Sequence, residues 1–145
     1  MATELDYRHW FSMDWSLIAP RRHPLVKNDR VRLTDLVDQP LILYERGSTG
    51  RGHVLDAFRR GGLAPRVEME ATNTDLIVRM VEAGLGVSIV PLHPSGAVTR
   101  GRRVGSRPLG EHIRPIDSGI LTRKGERLSA AARQFIDFCA ADPAG

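Results

Sequence analysis

Between Pro40 and Pro91 the hydrophobic period switches back and forth between strand and helix spacing, and this alternation constrains the fold more than any other feature. The apolar run Pro40-Leu41-Ile42-Leu43-Tyr44 has the length of a buried strand. A turn, Gly47-Ser48-Thr49-Gly50, then opens a helical pattern with Val54, Leu55 and Phe58 on one face, and Gly61-Gly62 stops it. Arg66 to Ala71 alternates Val67 and Met69 with Glu68 and Glu70, as a half-buried strand does. Asn73 or Thr74 caps a second helix whose predicted apolar face is Leu76, Ile77, Met80 and Val81, with Gly84 just past its end. Val87 to Val90 is a third strand, closed by Pro91. The order β-α-β-α-β predicts an α/β fold built on a parallel sheet with right-handed helical crossovers.

The 145 residues suffice for one compact domain with a real core, and 41% hydrophobic with 26% charged residues is a globular balance. Ahead of the organising segment, Trp15 to Ala19 predicts a short strand ending at Pro20. Residues 1–14 carry no regular pattern, although Trp10 and Phe11 need cover. Thr34 is expected to cap a single turn, Asp35 to Asp38. Beyond Pro91, Val98 to Leu109 predicts an edge strand with its loop, and Ile113 to Thr122 a strand broken near Asp117-Ser118-Gly119. After the turn Arg123-Lys124-Gly125, the residues Leu128, Ala131, Ala132, Phe135, Ile136 and Cys139 mark an amphipathic helix that Asp142-Pro143 ends. No apolar run is long enough to span a bilayer, and the opening MATELDYRHWF is not a signal peptide, so the expected location is cytoplasmic. The lone Cys139 is expected to pack rather than react.

The net charge of +4 is carried almost wholly by arginine. These charges are scattered, in short pairs such as Arg21-Arg22, Arg59-Arg60 and Arg102-Arg103, without a recognition helix, zinc ligands or a stacking motif. A solvated surface is the expectation, rather than direct contact with DNA.

The chemistry that the pattern does suggest lies at Gly47 to Arg51. The first amides of a helix have no intrahelical partner and carry the positive end of its dipole. With the hydroxyls of Ser48 and Thr49, and with Gly50 and Gly52 allowing close backbone approach, they suit a carboxylate, sulfate or phosphate. The alternative, that Ser48 or Thr49 is only an N-cap, stays open on the pattern alone. Enzymatic readings are weaker. The glycine spacing is not that of a dinucleotide loop, no Gly-Lys-Ser/Thr follows for a P-loop, and no Tyr-x-x-x-Lys pair exists. None of His9, His23, His53, His93 and His112 falls in a Gly-x-Ser-x-Gly context or at metal-ligand spacing, and His23 and His93 precede prolines, as loop residues do. Glu68 and Glu70 share a strand face and read as solvated, so no catalytic pair is evident and no cofactor or metal is expected.

At this point the run from Trp15 to Pro91 resembles the effector-binding domain of LysR-type transcriptional regulators. The matching pieces are Leu17-Ile18-Ala19-Pro20 with His23-Pro24-Leu25, Leu33-Thr34-Asp35-Leu36 with Pro40-Leu41-Ile42, and the helix that runs through Val78, Met80, Val81 and Ala83 into Gly84-Leu85-Gly86-Val87 and Pro91. Leu121-Thr122-Arg123-Lys124-Gly125 and the helix after it look like that family's C-terminal end. The Thr49-Gly50-Arg51 turn and the Ala71-Thr72-Asn73-Thr74-Asp75 entry look closest to the branch that regulates cysteine biosynthesis and sulfur assimilation.

The resemblance implies a periplasmic-binding-protein-like (flavodoxin-like) architecture of two α/β lobes with a small anionic metabolite between them. Residues 20–110 would form the second lobe, 10–19 and 111–122 the crossover strands, and 123–141 the helix returning to the first lobe. It places Gly47, Ser48, Thr49 and Gly50 on the turn that meets the effector, and Asn73 and Thr74 at the cleft edge. Met13 stands where the sulfur-regulator branch tends to have an aromatic cleft residue. The winged helix-turn-helix and most of the first lobe have no counterpart in this sequence, so it looks like a truncated regulator, with DNA engaged only indirectly. A non-enzymatic sensing fragment follows, partnered by another copy or by a full-length regulator. The alternative is a dimerisation fragment with no ligand of its own. Trp10, Phe11, Phe135 and Phe138 would lose their usual cover in either case.

Overall fold

A computed structural model describes residues 4–141. The strands are β1 (Leu5–Pro20), β2 (Leu41–Tyr44), β3 (Val67–Ala71), β4 (Val87–Leu92), β5 (Val104–Pro108) and β6 (Ile116–Arg123), and the helices α1 (Thr49–Arg60), α2 (Thr74–Glu82) and α3 (Ala130–Ala141). The main sheet has the order β3-β2-β4-β1-β5. Strands β3, β2 and β4 run parallel, as the β-α-β-α-β order requires, whereas β1 is antiparallel to both β4 and β5.

The alternation of side chains along the strands sorts the core into two layers. Trp15, Leu17, Leu41, Leu43, Val87 and Ile89 point to the face covered by α1, where they meet Val54, Ala57 and Phe58. Ile18, Ile42 and Val90 point to the face covered by α2, against Ile77, Val78 and Val81. Each fully buried large side chain contributes about 1.5–3 kcal/mol. The buried face of α2 is thus turned slightly from the predicted one: Val78 is inside, and Leu76, one residue ahead of Ile77, is exposed.

Both crossover helices end as their glycines predict. In α2 the amide of Leu85 donates to Met80 O (3.1 Å) and that of Gly84, at φ +84°, to Val81 O (2.9 Å), a Schellman cap. In α1 the same pair of bonds runs from Leu63 to Phe58 O and from Gly62 to Arg59 O. Gly86 serves a different need: a Cβ there would sit 2.4 Å from Pro40 O, so only glycine lets β4 start beside β2.

Three expectations fail locally. Strand β1 is continuous over 16 residues, where an irregular stretch was expected before Trp15. Its first half pairs with β6 as a two-stranded ribbon, which supplies the cover for a segment whose alternation is blurred by the register shift between His9 and Phe11. Trp10 and Phe11 stack edge to face there, and Phe11 also meets His93. Strand β6 does not break at Gly119, because the Tyr7 ring lies across that glycine in the space a side chain would fill. The turn expected at Asp35 to Asp38 is a 3-10 turn over Leu33–Leu36, held by Asp35 accepting from the Arg32 amide rather than by Thr34. The predicted helix end at Asp142-Pro143 lies outside the described residues.

Strand β5 is tied to α2 by Glu82, which accepts from the Arg103 amide (2.6 Å) and faces the Arg102 guanidinium. The backbone donor, with the neighbouring arginines, holds the Glu82 carboxyl below its ordinary range. A depressed carboxylate stabilises the fold above its unfolded pKa, and that contribution is lost as pH falls toward the folded value. Glu82→Gln should therefore melt below the wild type at pH 7, with the gap closing on acidification through about pH 4. Thermal melts across that range check it.

Candidate functional site

The site forms where the parallel strands β2 and β3 hand over to helices, on the carboxyl edge of the sheet where α/β folds place their ligands. Strand β2 ends at Tyr44, and the amide of Glu45 still donates to Ala71 O (3.0 Å), so both strands stop level. Gly47, at φ +87°, turns the chain into α1. Ser48 is the N-cap, its Oγ accepting from the Arg51 amide (3.2 Å), and its carbonyl accepts from Gly52. The amides of Thr49 and Gly50 have no acceptor among the described residues, and neither has the Thr49 hydroxyl. Capping and anion binding are therefore not alternatives here. Ser48 caps, and two amides and one hydroxyl remain.

Gly50 works otherwise than expected. A Cβ on it would meet Tyr44 Cδ2 at 3.2 Å and Trp15 Cη2 at 3.4 Å, so the glycine lets α1 settle on two aromatic rings. Gly52 has open space around its Cα.

The second helix start joins the first through Tyr44. Asn73 caps α2, its Oδ1 accepting from the Leu76 amide (2.9 Å), which leaves its Nδ2 near Thr72. The Thr74 hydroxyl is hydrogen-bonded to the Tyr44 phenol. Thus Gly50 and Thr74 touch the same ring, while Asn73 is occupied by its own helix. Burial pushes the Tyr44 pKa up, with the Thr74 bond opposing.

Arg51 completes the arrangement. Its side chain is only 13% exposed, and its guanidinium donates to Tyr44 O and to Glu70 Oε1, each at 3.1 Å. Arg46 lies 3.5 Å from the same Glu70 oxygen, so two guanidinium groups share one carboxylate. Glu70 is therefore an ion-pair partner, not the merely solvated residue its strand position suggests. Tyr44 was not among the sequence-predicted site residues, and Arg51 entered only as the end of the Gly47 to Arg51 turn. A tyrosine closing a buried strand just before a glycine turn, and an arginine three residues past the cap, were the available signals.

His53 lies one turn along α1, exposed, with its ring 6.2 Å from that of Trp15. The Trp15 indole N–H is buried with no acceptor among the described residues. No group of three or more histidine, cysteine or acidic side chains is placed to hold a metal among the described residues. No helix there is long and apolar enough to cross a membrane.

Comparison with known proteins identifies the family and the fold. The family model described as the LysR substrate binding domain matches residues 1–144. The transcriptional activator CmpR of Synechocystis is 33% identical over 144 residues, covering 93% of this chain and 44% of that protein. The regulator cbl of Klebsiella aerogenes is 41% identical over 81 residues, covering 56% of this chain and 26% of its own length. The chain thus spans less than half the length of either relative. Among solved structures, the CcmR regulatory domain of Synechocystis, in complex with 2-PG, superposes with a TM-score of 0.81 at 24% identity, over 97% of this chain and 67% of that one. This likeness shows a shared fold, that of the effector-binding domains with their periplasmic-binding-protein-like architecture. The relatives are transcriptional regulators rather than enzymes. On the family match and the shared fold together, the chain belongs to the LysR substrate-binding-domain family.

Proposed function

We propose that the chain senses a small anionic metabolite for a LysR-type regulator, receiving one negative group on the bare amides of Thr49 and Gly50 at the start of α1. The observation that carries this reading is the pairing of those unsatisfied donors with the free Thr49 hydroxyl, beside the Arg46 and Arg51 guanidinium groups that share Glu70. Thr74, held by Tyr44, and Asn73 form the further edge. The 2-PG complex of a structurally similar regulatory domain supports a ligand at a domain of this fold. Residues 20–110 are the second lobe, 10–19 and 111–122 the crossovers, and 123–141 the return to the first lobe. The continuity of β1 from the ribbon into the main sheet supports that division. The chain works in the cytoplasm as part of an oligomer, with DNA engaged only through its regulator.

A second reading has its own observation. Leu5, Tyr7, Leu121, Phe135 and Phe138 are all exposed, and all lie on the ribbon or on α3. A face of this kind favours association through these elements, with or without a ligand. Size-exclusion chromatography of Phe135→Ser/Phe138→Ser against the parent chain separates the readings. Loss of an oligomer together with no response of the parent to any anion favours association alone.

For the sensing reading, thermal melts with sulfate, O-acetylserine and simple carboxylates, at constant ionic strength, should show protection by at least one anion. Thr49→Ala removes a hydroxyl bond to a charged group, worth about 1.5–3 kcal/mol, and should weaken that anion about tenfold or more. Absence of protection by all of them, or an unchanged midpoint in Thr49→Ala, removes the proposal.

A further inference from the structure

A groove of about 520 Å³ runs beside α1, from His53, one turn past the start of the helix, to Arg60 at its end. One wall is a stripe of α1 itself, His53, Asp56 and Arg60, spaced three to four residues apart as one helix face requires. The other wall is the loop ahead of β6, with Glu111, His112 and Arg114. Both walls are fixed. Helix α1 is anchored by the buried Val54, Ala57 and Phe58. The loop hangs on Leu109, whose amide donates to Trp15 O (2.8 Å) and whose carbonyl accepts from His112 and Ile113 (2.9 and 3.0 Å), with Leu109 and Ile113 themselves buried. Arg60 reaches across, its guanidinium donating to His112 O at 3.4 Å.

The charges in this groove are not balanced. Asp56 is already paired with Arg59 (2.8 Å), and Glu111 with Arg30 (2.7 Å), both arginines lying outside the groove's walls. Arg60 and Arg114 have no carboxylate partner among the described residues. With those two outside arginines counted, four guanidinium groups stand against two carboxylates around the groove, and Arg60 and Arg114 with two imidazoles line it. The C-terminal end of α1 carries the negative end of its dipole close to Arg60, so a bound anion would be held by guanidinium forks and not by main-chain amides.

From this we infer a second anion site, between α1 and the 110–115 loop, for a small molecule with two or more negative charges, of the phosphate-ester, pyrophosphate or polycarboxylate class. It is independent of the proposed sensing turn. Arg60 lies roughly 16 Å along the helix axis from Thr49, too far for one small ligand to satisfy both. Arginine suits this class because its planar fork takes two anion oxygens at once, which lysine does not do.

Titration calorimetry with sodium pyrophosphate, at constant ionic strength, tests it on the whole chain, with Arg60→Ala/Arg114→Ala, Arg60→Lys and Thr49→Ala alongside. Both arginines are exposed, so the variants should keep the wild-type circular dichroism and melt. Thr49→Ala should keep the pyrophosphate binding that the groove provides, even where binding at the turn is lost, whereas the double variant should weaken the groove's binding about tenfold or more, and Arg60→Lys, which keeps the charge and loses the fork, to a lesser degree. No heat of binding in the wild type overturns the inference. So does binding that the double variant retains, and binding that only Thr49→Ala abolishes assigns the anion to the turn instead.

Discussion

Strand β2 is covered on both faces, and its Leu41, Ile42 and Leu43 are wholly out of water. A strand in that position cannot wander, because a shift by one residue would exchange its α1-facing and α2-facing side chains. Its end is therefore fixed, and with it the point where the chain must turn at Gly47 and begin α1. The N-terminus of α1 is delivered to the edge of the sheet by packing alone. Its free amides follow from helix geometry, which leaves the first donors of every helix unpaired, and Ser48 takes only one of them.

Aromatic packing then makes the turn specific. Tyr44 closes β2, lies against Gly50, and hydrogen-bonds Thr74 at the start of the neighbouring helix, so two helix starts are joined by one side chain. Arg51 binds the Tyr44 carbonyl and Glu70 of the adjacent strand, which ties α1 to β3. The same residues that seal the end of the sheet thus set the charge and shape of the turn proposed as the ligand site.

The central α/β unit was legible because its signals are local. Schellman caps at Gly62 and Gly84, the caps Ser48 and Asn73, and the alternation of β3 all fall within a few residues of the features they specify. The ribbon was not legible. Strand β1 earns its first half only by pairing with β6, more than a hundred residues away, and its bulge disturbs the alternation that would have announced it. Gly119 misled for a related reason: it is open to Tyr7 of the partner strand, a relation no local pattern records. In the site, hydroxyl and glycine positions were readable from the turn, but the roles of Tyr44, Arg51 and Glu70 depend on β3 lying beside β2. Gly50 was expected to admit a ligand's close approach, whereas a Cβ there would meet Trp15 and Tyr44 instead.

Everything functional rests on whether the bare start of α1 takes a negative charge. Nuclear magnetic resonance of the uniformly ¹⁵N-labelled chain, titrated with sulfate or a small carboxylate at constant ionic strength, reads this directly at each amide. The expected result is a saturable displacement that is largest at Thr49 and Gly50, while Arg51, already bonded to Ser48, moves less. Saturable shifts centred elsewhere, with Thr49 and Gly50 unmoved, would contradict it.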